Sequence, residues 1–456
     1  MTDHSIVSPV PGDWLQSVRG RIYTNIERVP LAKLRDWGTD PATGAIVHRT
    51  GGFFRVAGLR ADIPDAAVPR WDQPIIDQPE VGILGILAKR IDGVLHFLMQ
   101  AKAEPGNRGG VQLAPTVQAT RSNFTGVHRG RPVPYLRHFT DPGPARVVVD
   151  VRQSEQGAWN LRKRNRNMVV RVEDDAEVAA EDGFRWMPAA EVHRALAVDD
   201  LVNMDARTVL ACLPLHRCAT VARLRDAPDG FTAALARSYT AAGVHPTGDL
   251  LSWITQVRSR AGVRVEPVPL GGLAGWRAGP DRIAHETGRF FDVVGVRVEA
   301  SGREVGGWDQ PMIEPRGPGL IALLVTRIDG VLHALMNLRV EPGLVDVAEL
   351  APTVQCTPGN YDHLPASARP VLLDEVTAAP PERIRADVML SDEGGRFLHS
   401  LHRHVVVETD ERSEPPGHRW VTFGQLARLL AHSHYVNVQA RSVLACVNAL
   451  LMGADR

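Results

Sequence analysis

The sequence predicts an α+β fold built twice in tandem, each copy a mainly antiparallel or mixed sheet flanked by helices. Three observations carry that prediction. Residues 71–124 and 308–361 align at a constant offset of 237 without a gap, and 27 of the 54 positions are identical. In each copy two apolar or alternating runs meet at Ile-Asp-Gly, a strong hairpin signal because both central residues of a type I′ turn need positive φ. Each copy then ends on a helix-like segment, VNMDARTVLACL or VNVQARSVLACV. A period this long is not that of a solenoid. It marks a duplicated domain.

The duplication extends outward at nearly the same offset. His48-Arg49-Thr50-Gly51 matches His285-Glu286-Thr287-Gly288, Trp14–Arg19 matches Trp253–Arg258, and Arg185-Trp186 matches Arg419-Trp420. The first repeat therefore runs over about 13–215 and the second over 250–450. The 216–249 stretch between them, with the turn-rich Asp226-Ala227-Pro228-Asp229-Gly230 and a helical stretch after it, reads as a linker.

The elements follow in order. A short helix opens each repeat at Trp14–Tyr23 and Trp253–Arg260. Strands are expected at Gly82–Arg90, Val94–Ala103 and Val111–Thr120, the last after the Glu104-Pro105-Gly106 turn. A fourth is expected at Ala145–Val151 and a fifth at Met168–Val172, with a basic stretch, Leu161–Asn167, between them. Helices follow at Ala189–Leu196 and Met204–Leu213, the second capped by Asn203 or Asp205.

Composition excludes several classes. Lys+Arg and Asp+Glu are both 52, so charge gives no case for nucleic acid or a membrane surface. No apolar run of about 20 residues predicts a transmembrane helix, and the N-terminal MTDHSIVSPVPGDW lacks the pattern of a signal peptide. The four cysteines form no CxxC, and Cys212 and Cys446 read as buried small residues. A cytoplasmic protein is the expectation. His399, His402 and His404 have no partner in the first repeat and read as surface rather than metal ligands.

Candidate chemistry comes from period-two faces. On the second strand His96, Leu98, Gln100, Lys102 and Glu104 share one face; the second repeat offers His333, Leu335, Asn337, Arg339 and Glu341. On the third, Gln112, Thr116, Gln118 and Thr120 share a parity, matched by Glu349, Thr353, Gln355 and Thr357. Two such faces can line a pocket for a hydroxyl-rich ligand such as a sugar; the alternative is a sheet with one solvent-exposed face. Glu104 and Glu341, each before Pro-Gly, either cap the turn or act as a base. Trp71 and Trp308 read as core or as platforms for stacking, and Asp72-Gln73-Pro74 as a corner. Arg121, Ser122, Asn123, His128, Arg129 and Arg131 form a cationic loop able to hold a diphosphate by charge-assisted hydrogen bonds.

WDQPIIDQPEVGILGILAKRIDGVLHFLMQAKAEPGN, VQLAPTVQATRSNF and their second-half counterparts resemble the NDP-hexose 2,3-dehydratases of deoxysugar biosynthesis, over nearly the whole chain. The resemblance implies tandem Nudix-like domains and a homodimer. Neither repeat carries the glutamate-rich REXXEE helix with which a Nudix hydrolase holds magnesium, so no metal is expected. The implied reaction is loss of water from an NDP-4-keto-6-deoxyglucose, usually the dTDP sugar. It needs no redox cofactor, and its product would pass to a 3-ketoreductase or aminotransferase. The rival readings are a Nudix-type hydrolase and a non-catalytic nucleotide-sugar binding protein.

On that resemblance Glu104 is the candidate base, with Lys102 or His96 near the carbonyl. Trp71, Gln73, Gln100, Gln112, Thr116, Gln118, Thr120, Ser122, Asn123 and His128 would bind substrate, and Arg121 and Arg129 would grip the diphosphate. Trp308, Arg339, Glu341, Glu349, Thr353, Gln355, Asn360 and Tyr361 form the corresponding second-repeat site. The first repeat is expected to be catalytic because it keeps the cationic loop; the alternative is that Glu341, Glu349 and Tyr361 of the second repeat do the work.

Overall fold

The computed structural model describes residues 11–124, 132–143, 146–301 and 305–453. Each repeat builds a seven-stranded main sheet. In the first the order is Val147–Ser154, Arg164–Arg171, Gly82–Ile91, Val94–Ala103, Phe184–Pro188. In the second it is Ile384–Ser391, Leu401–Glu408, Gly319–Ile328, Val331–Val340, His418–Thr422. Arg164–Arg171 runs parallel to Gly82–Ile91, and Leu401–Glu408 to Gly319–Ile328, while the flanking pairs are antiparallel. The α+β class with a mixed sheet is thus realised twice. The hairpin turns adopt the predicted conformation: φ is 50° and 78° at Asp92 and Gly93, and 51° and 77° at Asp329 and Gly330.

The third strand departs from expectation. It is two short strands, Val111–Ala114 beside Val94–Ala103 and Val117–Ala119 beside Gly82–Ile91. The hairpin strands pair directly only from Leu87 and Leu98 onward, and the short strands fill the fork before that point. At the break, Thr116 Oγ1 accepts from the Leu87 N–H at 2.9 Å and donates to the Leu98 carbonyl. Thr353 bridges Leu324 and Leu335 in the same way. Parity across this break carries no information, since Gln112 and Gln118 lie on different segments with different neighbours.

One face of each main sheet packs on helices. Phe97, Met99, Ala101 and Ala103 meet Val192 and Leu196 of Ala189–Ala195 and its C-terminal cap, and Val209 and Leu210 of Met204–Ala211. The opposite face is not left to solvent: Leu98 is buried under Phe139 with Val117 and Met168. Asn203 caps its helix through Ala206 N at 2.8 Å, and Asn437 caps Val438–Met452 through Ala440 N at 2.8 Å. Cys446 is buried and Cys212 half-buried, both unpaired. No helix among the described residues is long and apolar enough to cross a membrane.

The repeats are interlocked by exchanged strands. Thr24–Val29 pairs with Phe291–Ala300 of the second repeat's smaller sheet, and Arg264–Val268 pairs with Arg55–Asp62 of the first's. The duplicated Trp-Asp-Gln-Pro segments clamp this exchange. Asp309 accepts from Arg35 Nη2 at 2.7 Å and its carbonyl from Trp37 Nε1 at 2.6 Å. Asp72 accepts from Ala274 N at 3.0 Å and its carbonyl from Trp276 Nε1 at 2.7 Å. Fully buried Arg207 and Arg441 complete the bracing, donating to the carbonyls of Ser391 and Ser154 in the opposite repeat.

The Glu-Pro-Gly turns dock symmetrically. Gly106 N donates to Gly394 O at 2.6 Å, and Gly343 N to Gly157 O at 2.8 Å. A Cβ on Gly106 would lie 1.8 Å from the Phe397 carbonyl, and one on Gly343 2.0 Å from that of Asn160. Glycine is needed there for the close approach of the two repeats.

Candidate active site

Each docked loop reaches into the other repeat, and this shapes a cavity of about 770 Å³ over the fork of the first main sheet. Its floor is polar: half-buried Lys102 and Gln118 with buried Glu104, Lys163, Asn165 and Asp205 from the first repeat, and buried Glu393 and Arg396 from the second. Half-buried Trp37, His48, Phe53, Phe54 and Trp308 add aromatic lining to the cavity. The volume lies within the range of small-molecule sites. The chain has four lysines, Lys33, Lys89, Lys102 and Lys163. Lys102 and Lys163 line this floor.

Glu104 is oriented by a relay. Asn203 Nδ2 donates to Gln118 Oε1 at 3.0 Å, which fixes the amide so that Gln118 Nε2 donates to Glu104 Oε1 at 2.8 Å. Lys102 Nζ lies 3.9 Å from the same oxygen. Arg396 is anchored to Glu393 at 2.7 Å, Gln78 at 3.0 Å and Asn160 at 3.3 Å through Nε and Nη1. Lys163 Nζ donates to the Glu80 carbonyl at 2.5 Å. Burial, followed by the charge of Arg396, pulls the Lys163 ammonium down to about 8. Burial also raises Asp205 well above the usual carboxylate range, and the nearby Glu155, Glu393 and Glu104 add to it.

The structure brings Glu104, Lys102, Gln118 and Thr120 of the expected set together in this cavity. Others lie elsewhere. His96 sits six residues along the strand from Lys102, beyond the cavity lining, with Nδ1 against the Val94 carbonyl at 2.9 Å. Gln100 faces a small neighbouring pocket. Thr116 ties strands together, as above. Gln112 is fully buried and donates to Ser391 of the opposite repeat at 2.9 Å. Trp71 bonds Gln73 at 2.7 Å, and Gln73 the Ala158 carbonyl at 2.6 Å. They hold the loop that serves the other repeat, while their counterparts Trp308 and Gln310 line the first repeat's cavity. Ser122 binds Glu80 at 2.8 Å, and Arg121 is exposed outside the cavity lining. The side chain of Asn123 and the whole of His128, Arg129 and Arg131 lie outside the described residues.

In the second repeat the relay recurs: Asn437 to Gln355 at 2.8 Å and Gln355 to Glu341 at 3.3 Å, with Arg339 Nε on Glu341 at 2.8 Å. Glu349 is buried against Ser154 at 2.6 Å, and Thr353 ties strands. Asn360 accepts from Phe290 N at 3.2 Å, and burial raises half-buried Tyr361. Here the place of Arg396 is taken by Trp159, packed on Phe397, Phe291 and His402 with ring centroids 5.0–6.3 Å apart. His402 and His404 are buried, not on the surface, and His402 Nε2 meets Asp392 at 2.5 Å. Among the described residues no group of His, Cys, Asp and Glu is placed to hold a metal ion.

Sequence reasoning missed Asp205, Lys163, Glu393 and Arg396. Asp205 was visible only as a candidate cap. Arg396 and Glu393 belong to the other repeat, and no local pattern links them to Glu104.

Carboxyl, ammonium and guanidinium groups thus surround a ligand-sized cavity, a set chemically able to exchange protons with a ligand. The sequence profile of the NDP-hexose 2,3-dehydratases matches residues 11–213 and 247–447, and the chain belongs to that family. It is 48% identical to a dTDP-4-dehydro-6-deoxy-alpha-D-glucopyranose 2,3-dehydratase of Amycolatopsis orientalis, over 96% of this chain and 89% of that protein. Similar proteins of the same description occur in Saccharopolyspora spinosa (46% identity; 96% of this chain, 90% of that one) and Streptomyces violaceoruber (46%; 93% of each).

Proposed function

We propose that this protein removes water from dTDP-4-keto-6-deoxyglucose in the cavity of the first repeat, giving a 3,4-diketo-2,6-dideoxy sugar nucleotide. The observation that carries the reading is the buried acid–base cluster around Glu104, in a chain whose relatives are described as 2,3-dehydratases of that sugar. The C4 ketone acidifies the C3 proton, and Glu104, aimed by Gln118, takes it. Lys102 and the Nη2 group of Arg396, which has no hydrogen-bond partner among the described residues, are donors for the enolate oxygen. Expulsion of the C2 hydroxyl re-forms the C4 carbonyl, and the C3 enol tautomerises to the second ketone. Electrons rearrange within the sugar, so the reaction is redox-neutral.

The first repeat is the working half in this reading. Its counterpart in the second repeat has Trp159 packed where Arg396 stands. By resemblance to the family, each repeat is Nudix-like, the protein is a cytoplasmic homodimer of a natural-product deoxysugar pathway, and a 3-ketoreductase or aminotransferase consumes the diketone.

The test is incubation with dTDP-4-keto-6-deoxyglucose, a 3-ketoreductase and NADPH, followed by mass spectrometry of the sugar. A 2-deoxy product that requires this protein supports the reading. Unchanged sugar in the presence of bound dTDP would overturn it in favour of a binding protein.

A further inference from the structure

We propose that Asp205 is the proton donor to the departing C2 hydroxyl. This rests on the dehydration assigned above to the first repeat's cavity, for which the acid partner of Glu104 is otherwise unidentified.

Asp205 lies in the first turn of Met204–Ala211, lines the cavity floor and is 3% exposed. Its Oδ1 is buried without a hydrogen-bond partner among the described residues. A buried polar group left unmatched calls for an explanation, and at a cavity wall the natural one is a ligand. Capping does not supply it, because Asn203 already caps this helix at 2.8 Å. The groups that face it are Glu104 and Lys102 at the end of one strand, and Glu155 and Glu393 on the two docked loops. Burial, with Glu155, Glu393 and Glu104 outweighing the one ammonium of Lys102, raises this carboxyl well above the usual carboxylate range and so favours its protonated form. The second repeat has Gln439 at this position, an amide that cannot give up a proton.

The step balances without a co-reactant. The C3–H bond breaks and its proton goes to Glu104, leaving an enolate. As the C2–O bond breaks, the enolate pair becomes the C2=C3 bond, and the Asp205 proton joins the leaving oxygen to form water. Asp205 regains a proton from solvent and Glu104 releases one. The enol then loses its O–H proton and C2 takes one up.

A 2-deoxy-2-fluoro analogue of the substrate tests this, because fluoride leaves without a proton. Asp205→Asn is expected to lower turnover of the hydroxyl substrate by about 10²-fold or more, while fluoride release stays within a few fold of the unmodified protein. Asp205→Glu restores part of the loss. With the unmodified protein, kcat for the hydroxyl substrate falls as pH rises through the Asp205 ionisation, and the fluoro substrate lacks that limb. Equal losses on both substrates, no loss on either, or an alkaline limb shared by both would overturn the assignment. Glu104→Gln, run alongside, lowers both reactions by about 10²–10⁴-fold; if it leaves both intact, the cavity reading itself fails, independently of Asp205.

Discussion

Trp159 and Arg396 occupy equivalent positions, 237 residues apart, on loops that each reach into the other repeat. Because of that crossing, the first repeat's fork receives a guanidinium and the second repeat's fork an indole. One duplicated frame thus carries a guanidinium at a charged cavity on one side and an aromatic cluster on the other.

Function should therefore separate the two relay glutamates. Glu104→Gln is expected to lower kcat by about 10²–10⁴-fold. Glu341→Gln, beneath the Trp159 side, leaves kcat within about threefold. Steady-state kinetics of the two purified variants decide it, and equal losses would place chemistry in both halves.

Gly106→Ala should destabilise the whole chain. The added methyl meets the Phe397 carbonyl, a backbone atom that cannot rotate away. A cost of about 1–3 kcal/mol, or more, is expected. A thermal melt should show it as a lower Tm, with Gly343→Ala behaving alike because Gly343 meets Asn160 in the same way.

Glu349→Gln should stabilise the protein increasingly as pH rises. Burial lifts the Glu349 carboxyl from its ordinary 4.5 to about 7. The folded state thus holds a proton that the unfolded chain gives up earlier. Stability is fully present below about 4.5 and is lost as pH rises through 7. Gln112, the equivalent residue, already sits fully buried as an amide beside Ser391. Melts of both proteins at pH 5 and pH 8 should show a Tm gain only at the higher pH; a gain independent of pH would contradict the ionisation.

Thr116→Val should lower Tm without changing KM. The hydroxyl joins Leu87 N and Leu98 O inside the sheet, and its loss leaves both unmatched at about 1–3 kcal/mol. A raised KM at unchanged Tm would instead put this side chain on the substrate.

Glu104, Lys102 and Gln118 were legible because strand period and the two copies of Glu-Pro-Gly mark them without any knowledge of tertiary contacts. Gln112 and Thr116 were misread because a strand broken at Pro115 changes neighbour, so alternation no longer tells which way a side chain faces. Trp71 and Gln73 lie away from the first repeat's cavity. Strand exchange hands the first repeat's cavity their second-repeat counterparts, Trp308 and Gln310. Asp205 gave no catalytic signal, since one carboxylate at the start of a helix reads as a cap.

The sequence by itself determined the duplication, the α+β class, the hairpin at each Asp-Gly and the Asn-capped helix, because these depend on local pattern and on comparison of one half with the other. Only the tertiary structure decided that Thr24–Val29 and Arg264–Val268 cross between repeats, that Arg396 and Glu393 line one cavity with Lys102, and that Trp159 packs on Phe397 at the position equivalent to Arg396. The physical reason is that pairing across hundreds of residues is chosen by which surfaces bury each other and which backbone groups find partners. No period in the chain records that choice.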